Sequence, residues 1–61
     1  MDRLEKFFLA NGLFAKTQND SIVGIESQNP DAELEYHISD GFPNYVAISQ
    51  EGKSSVFCYS S

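Results

Sequence analysis

A chain of 61 residues, with nine Asp and Glu against four Lys and Arg, 41% hydrophobic composition and one cysteine, builds one domain and buries about 60% of the surface its unfolded form exposes. It has no second cysteine for a disulfide, too few Cys and His for the usual structural zinc sets, and little room for a deep pocket beside its core. No apolar run approaches the ~20 residues that cross a bilayer, so a single domain over residues 1–61 is expected, without a transmembrane helix.

The first element is a helix. Asp2 stands where an N-cap belongs, with Glu5 at capping-box spacing. Leu4, Phe7 and Phe8 fall on one helical stripe, which Leu9 widens. Asn11-Gly12 supplies the left-handed residue that ends helices, with Leu13 placed to touch Phe8 as in a Schellman ending. The helix therefore runs from Arg3 to Asn11 and is too short to be stable unless it packs on something. This charged, capped start is unlike a signal peptide, and a cytoplasmic location is expected.

Strands follow. Leu13 to Thr17 and Ser21 to Ser27 are short and carry β-branched or aromatic residues, separated by the polar turn Gln18-Asn19-Asp20. Gly24, inside the second of them, marks a bulge or a close approach to an aromatic ring. Gln28-Asn29-Pro30-Asp31 reads as a loop. Glu33 to Ser39 alternates, with Leu34, Tyr36 and Ile38 on one side and Glu33, Glu35 and His37 on the other. Asp40-Gly41-Phe42-Pro43-Asn44 reads as a second loop rich in breakers, followed by strands Tyr45 to Ser49 and Ser54 to Tyr59. The expected fold is α+β: one N-terminal helix packed on a four- to five-stranded antiparallel meander sheet.

The register of the last hairpin decides which side chains share a face. A two-residue loop at Glu51-Gly52 sets Tyr45 opposite Cys58 and Val46 opposite Phe57. A three-residue loop, Gln50-Glu51-Gly52, sets Val46 opposite Val56 and Tyr45 opposite Phe57. The longer loop sorts the side chains better, into an aliphatic face of Val46, Ile48, Val56 and Cys58 and a second face of Tyr45, Ala47, Phe57 and Tyr59. It is the expected register, since a one-residue slip exchanges the faces. The helix would cover the aliphatic face, leaving Tyr45, Phe57 and Tyr59 either as an aromatic patch of the kind that anchors interfaces or, if the sheet curls, as the inside of a small barrel or a face covered by the Phe42 loop.

The charge is unevenly placed. Residues 17–52 carry Asp20, Glu26, Asp31, Glu33, Glu35, Asp40 and Glu51 with no Lys or Arg. Such a surface repels nucleic acid and anionic membranes and attracts a basic partner.

Catalytic readings fare worse. His37 and Cys58 lie on strands separated by a third and point to opposite faces in the expected register, and nothing positive neighbours Cys58 to make a thiolate. Glu33, Glu35 and His37 form a row whose members stand ~7 Å apart per step and do not converge on a metal without a sharp bend. The glycines form no phosphate-binding loop, and Asn19-Asp20-Ser21 reads as a turn rather than a glycosylation site. No catalytic residue, metal or cofactor is expected, and the chain is not expected to be an enzyme.

The expected function is a small acidic protein-interaction module that docks on a basic surface of a larger partner. An inhibitor of a nucleic-acid-binding machine is the nearest analogy, of the size and charge of phage host-takeover or anti-defence proteins. Asp31, Glu33, Glu35 and Asp40, with Tyr45, Phe57 and Tyr59, are the expected contact residues. The alternative is an adaptor subunit that assembles through its aromatic face or free strand edge; an enzyme subunit completed by a partner through His37 and the acids is weaker. The last strand is the expected edge for a homodimer or for edge-to-edge contact with the partner.

Overall fold

The computed structural model describes residues 2–59. Helix α1 (Arg3–Asn11) starts as its capping box dictates. Glu5 N–H donates to Asp2 Oδ1 at 2.8 Å, and Asp2 N–H donates to Glu5 Oε1 at 3.2 Å. Each bond satisfies a donor that the first turn would otherwise leave without a partner. At the other end Gly12 takes the left-handed conformation (φ 65°) and its N–H donates to Phe8 O. This is the bond of the simple left-handed ending. The chain leaves it directly into a strand.

Five strands follow: β1 (Leu13–Gln18), β2 (Ser21–Ser27), β3 (Glu33–Ser39), β4 (Phe42–Gln50) and β5 (Lys53–Cys58). Each hairpin turns through two residues that both have positive φ: Asn19-Asp20, Asp40-Gly41 and Glu51-Gly52. Two left-handed residues in succession make the turn whose twist matches the strands it joins. The α+β class and antiparallel pairing are as expected. The strands, however, divide into a β1-β2 sheet and a β3-β4-β5 sheet instead of one continuous meander. The break falls at the Asn29-Pro30 loop. There Asp31 N–H donates to Asn29 Oδ1 and Ala32 N–H to Asn29 O. The two hairpins touch again where Ile22 N–H donates to Gly41 O at 2.8 Å.

Two further strand details differ from expectation or sharpen it. Phe42-Pro43-Asn44 belongs to β4, because Asp40-Gly41 alone completes the turn. Pro43 is tolerated there because the β3–β4 register shifts beside it, between His37 and Ile38, leaving Asn44 as a bulge. In β2 the register shifts at Lys16/Thr17, and the Tyr36 hydroxyl lies 3.5 Å from where a Cβ on Gly24 would stand. The bulged residue is Val23, next to Gly24, and a Cβ at Gly24 would make only ordinary contact with Lys16 and the Tyr36 hydroxyl.

The core lies between α1, the β1–β2 hairpin and the inner face of the β3-β4-β5 sheet. Val46 and Ile48 are fully enclosed, joined by Leu4, Leu13, Ile25 and Phe57, with Phe7, Phe8, Ala32 and Leu34 packed on them. Here the expected register of the last hairpin is overturned. Val46 pairs with Phe57 and Tyr45 with Cys58, around the two-residue loop. Phe57 is 5% exposed and Val56 is 61% exposed. The reason is tertiary: Phe57 meets the Phe7 ring at 5.7 Å under the helix, and the Arg3 guanidinium lies 5.1 Å over its face. Both registers sort apolar side chains, but only this one places the larger ring where α1 covers it.

Candidate protein-interaction face

With one face of the β3-β4-β5 sheet in the core, the other is uncovered by any described element. Its rows follow from pairing: Glu33, Glu35 and His37 on β3 stand beside Ser49, Ala47 and Tyr45 on β4, and these beside Ser54, Val56 and Cys58 on β5. Glu33, Glu35 and His37 are exposed, as their alternation implies. The small Ala47 and Ser49 side chains leave a shallow trough of about 530 Å³ flanked by Glu33 and Glu35. Around the end of the strands, Asp31 and Glu51 line a second hollow with Glu33, Ser54 and Lys53.

Among the described residues, no Lys or Arg lines the trough beside Glu33 and Glu35. Arg3 lies over Phe57 and Tyr59, and Lys16 pairs with Glu26 at 3.7 Å on the β1–β2 hairpin. Lys6 is on α1; Lys53 pairs with Gln50 at the start of β5 and shares the end hollow with Asp31, Glu33 and Glu51, but it does not line the Glu33–Glu35 trough. Of the expected acids, the fold gathers Asp31, Glu33 and Glu35 and adds Glu51. Asp40 sits at the far end of β3, in its turn. The contribution of Glu51, Ala47 and Ser49 was hidden in the sequence, where its only trace is a pair of small residues facing an acidic row.

The expected aromatic patch does not form. Tyr45 is on the outer face, between His37 and Cys58, whereas Phe57 is in the core. Tyr59 follows Phe57 to the inner side, edge-on to its ring at 4.7 Å and 5.5 Å from Phe42, and remains 42% exposed at the margin of the core. The register correction also moves Cys58 onto the same face as His37. Tyr45 stands between them, and two strand spacings amount to about 10 Å, beyond proton-transfer reach. His37 Nδ1 instead lies 3.0 Å from Asn44 Oδ1 on the bulge, a bond in which Nδ1 donates. Glu33, Glu35 and His37 stand in line, and among the described residues no group of three or more His, Cys, Asp or Glu is arranged to hold a metal ion.

Set against family models, characterised proteins and solved structures, the chain matches none of them.

Proposed function

We propose that this protein is an acidic interaction module that docks its outer β3-β4-β5 face on a basic surface of a larger protein. The observation that carries this reading is the trough over Ala47 and Ser49, flanked by Glu33 and Glu35 and free of any cation. A Lys or Arg side chain of the partner lies along the trough, its stem on the small side chains and its charge between the carboxylates. Asp31 and Glu51, which with Glu33 outnumber Lys53 in the neighbouring hollow, extend the acidic field beyond the trough and steer the encounter. Tyr45 supplies an aromatic contact at the other end of the face, and Asp40 contributes at longer range. The same field disfavours nucleic acid and anionic lipid as direct ligands. Inhibition of a nucleic-acid-binding protein, by occupying its phosphate-binding surface, is the biological role this chemistry suits.

The test is kinetic. A partner captured from the native host is titrated with the wild type and with a Glu33→Lys/Glu35→Lys double variant across a salt series. The wild type is expected to associate faster at low salt, and the double reversal to lower the association rate by about tenfold or more while changing dissociation less. Association that ignores both salt and the reversals would overturn the reading.

A further inference from the structure

Asn11-Gly12 is the one Asn-Gly step in the sequence, and it carries chemistry besides ending a helix. An asparagine side-chain amide is open to attack by the backbone nitrogen of the next residue, and glycine, without a Cβ, hinders that attack least. The Gly12 nitrogen loses its proton and bonds to Asn11 Cγ, ammonia leaves, and a five-membered succinimide remains. Water then opens the ring at either carbonyl, giving aspartate or isoaspartate at position 11. The other asparagines are poorer candidates. Asp20 and Tyr45 bring side chains that crowd the nitrogens following Asn19 and Asn44, and Pro30, after Asn29, has no N–H to lose.

The fold holds both reacting groups away from this step. Gly12 N–H donates to Phe8 O, so the nitrogen that must attack is tied into the helix ending. Asn11 Nδ2 donates to Phe7 O at 2.9 Å, which turns the side-chain amide back along α1 and away from Gly12 N. The backbone is fixed on both sides of the step. Gln50 Nε2 donates to Asn11 O at 3.1 Å, and Gln28 N–H donates to Gly12 O at 2.8 Å. Both residues are half-buried. Attack therefore needs the bonds to Phe7 O and Phe8 O broken together, which means that the last turn of α1 must open.

We infer that Asn11 is a modification site gated by the last turn of α1: it deamidates from the open turn, and its products favour the open turn. Aspartate has no donor for Phe7 O, and its negative charge stands beside that carbonyl at the negative end of the helix dipole. Isoaspartate routes the backbone through an extra methylene between α1 and β1. The Gly12 bonds to Phe8 O and from Gln28 N–H then lose their spacing, next to Leu13 in the core. Loss of ammonia to solvent makes the change one-way. The α1–β1 junction thus accumulates a mark of how often the helix end has opened, whatever docks on the outer sheet face.

Ageing of the full chain at neutral pH, with no partner present, tests this by mass spectrometry that resolves aspartate from isoaspartate at position 11. Deamidation of Asn11 is expected to be about tenfold or more slower in the native protein than in the same chain unfolded in urea. Gln50→Ala, which releases Asn11 O, is expected to speed it by about fivefold in the folded state. Chain already converted at position 11 should melt below the wild type. If Gln50→Ala does not fold, urea below the unfolding transition takes its place: Gly12 N–H exchange and Asn11 deamidation are then expected to rise together. Equal rates in the native and unfolded chain, a folded Gln50→Ala variant that deamidates no faster, Gly12 exchange that rises without deamidation, or a converted chain that melts as the wild type does would overturn the inference.

Discussion

Gly12 and Gly52 both hold left-handed backbone, yet their surroundings differ. A Cβ at Gly12 would stand 2.8 Å from the Gln28 side chain, and at Gly52 it would meet nothing within 4 Å. Gly52→Ala should therefore cost about 1 kcal/mol of backbone strain, and Gly12→Ala more, since Gln28 must also move. Denaturant midpoints of the two variants check the order. The corrected register makes a sharper comparison. Phe57→Ala removes a ring packed on Phe7 and under Arg3, which costs about 3–5 kcal/mol and leaves so small a domain largely unfolded. Val56→Ser, one residue earlier, should change stability by less than about 1 kcal/mol because that side chain is mostly in solvent. If thermal melts rank these two the other way, the three-residue loop is the true one.

Among elements, α1 was the most legible because each of its signals is local. Asp2, Glu5 and Gly12 act within a turn of themselves, and the helix bounds follow from them. The β1–β2 and β3–β4 turns were legible as polar or glycine-containing breaks, but Pro43 obscured how early β4 begins. What locks the elements together was not legible. Gln50, at the end of β4, accepts from Asn29 Nδ2 and donates through Nε2 to Asn11 O, each at 3.1 Å. It therefore joins the loop after β2 to the end of α1, across residues far apart in the chain. Gln50→Ala should cost about 1–2 kcal/mol. Hydrogen exchange should show the loss concentrated at Asn29 to Ala32 and at the last turn of α1. A uniform loss across the domain would show that Gln50 clips nothing in particular.

At the scale of the molecule the net charge is −5, and five of the nine carboxylates, Asp31, Glu33, Glu35, Asp40 and Glu51, lie on β3 and the loops of its sheet. The Lys16–Glu26 pair is more than half exposed, too wet to contribute much. Repulsion among the carboxylates therefore opposes folding, and adding salt should raise the melting temperature by a few degrees at most, from about 0.5 kcal/mol or less of relieved repulsion. A melting temperature that falls steadily with salt would mean that attractive pairs dominate instead. The same charge drives the proposed docking, so salt is expected to strengthen the fold while weakening the complex.

Residue order alone settled the features that depend on near neighbours or on alternation: the capped helix, the antiparallel class and the polar outer row Glu33-Glu35-His37. Those follow from interactions within a few residues, or from a period of two that no distant contact alters. Contacts between distant segments settled the rest. Val56 and Phe57 are both apolar neighbours, so the strand itself is nearly indifferent to which one faces inward. The choice belongs to Phe7 and Arg3 on α1, more than forty positions away, and with it go the division of the aromatic patch and the placement of Cys58 beside Tyr45.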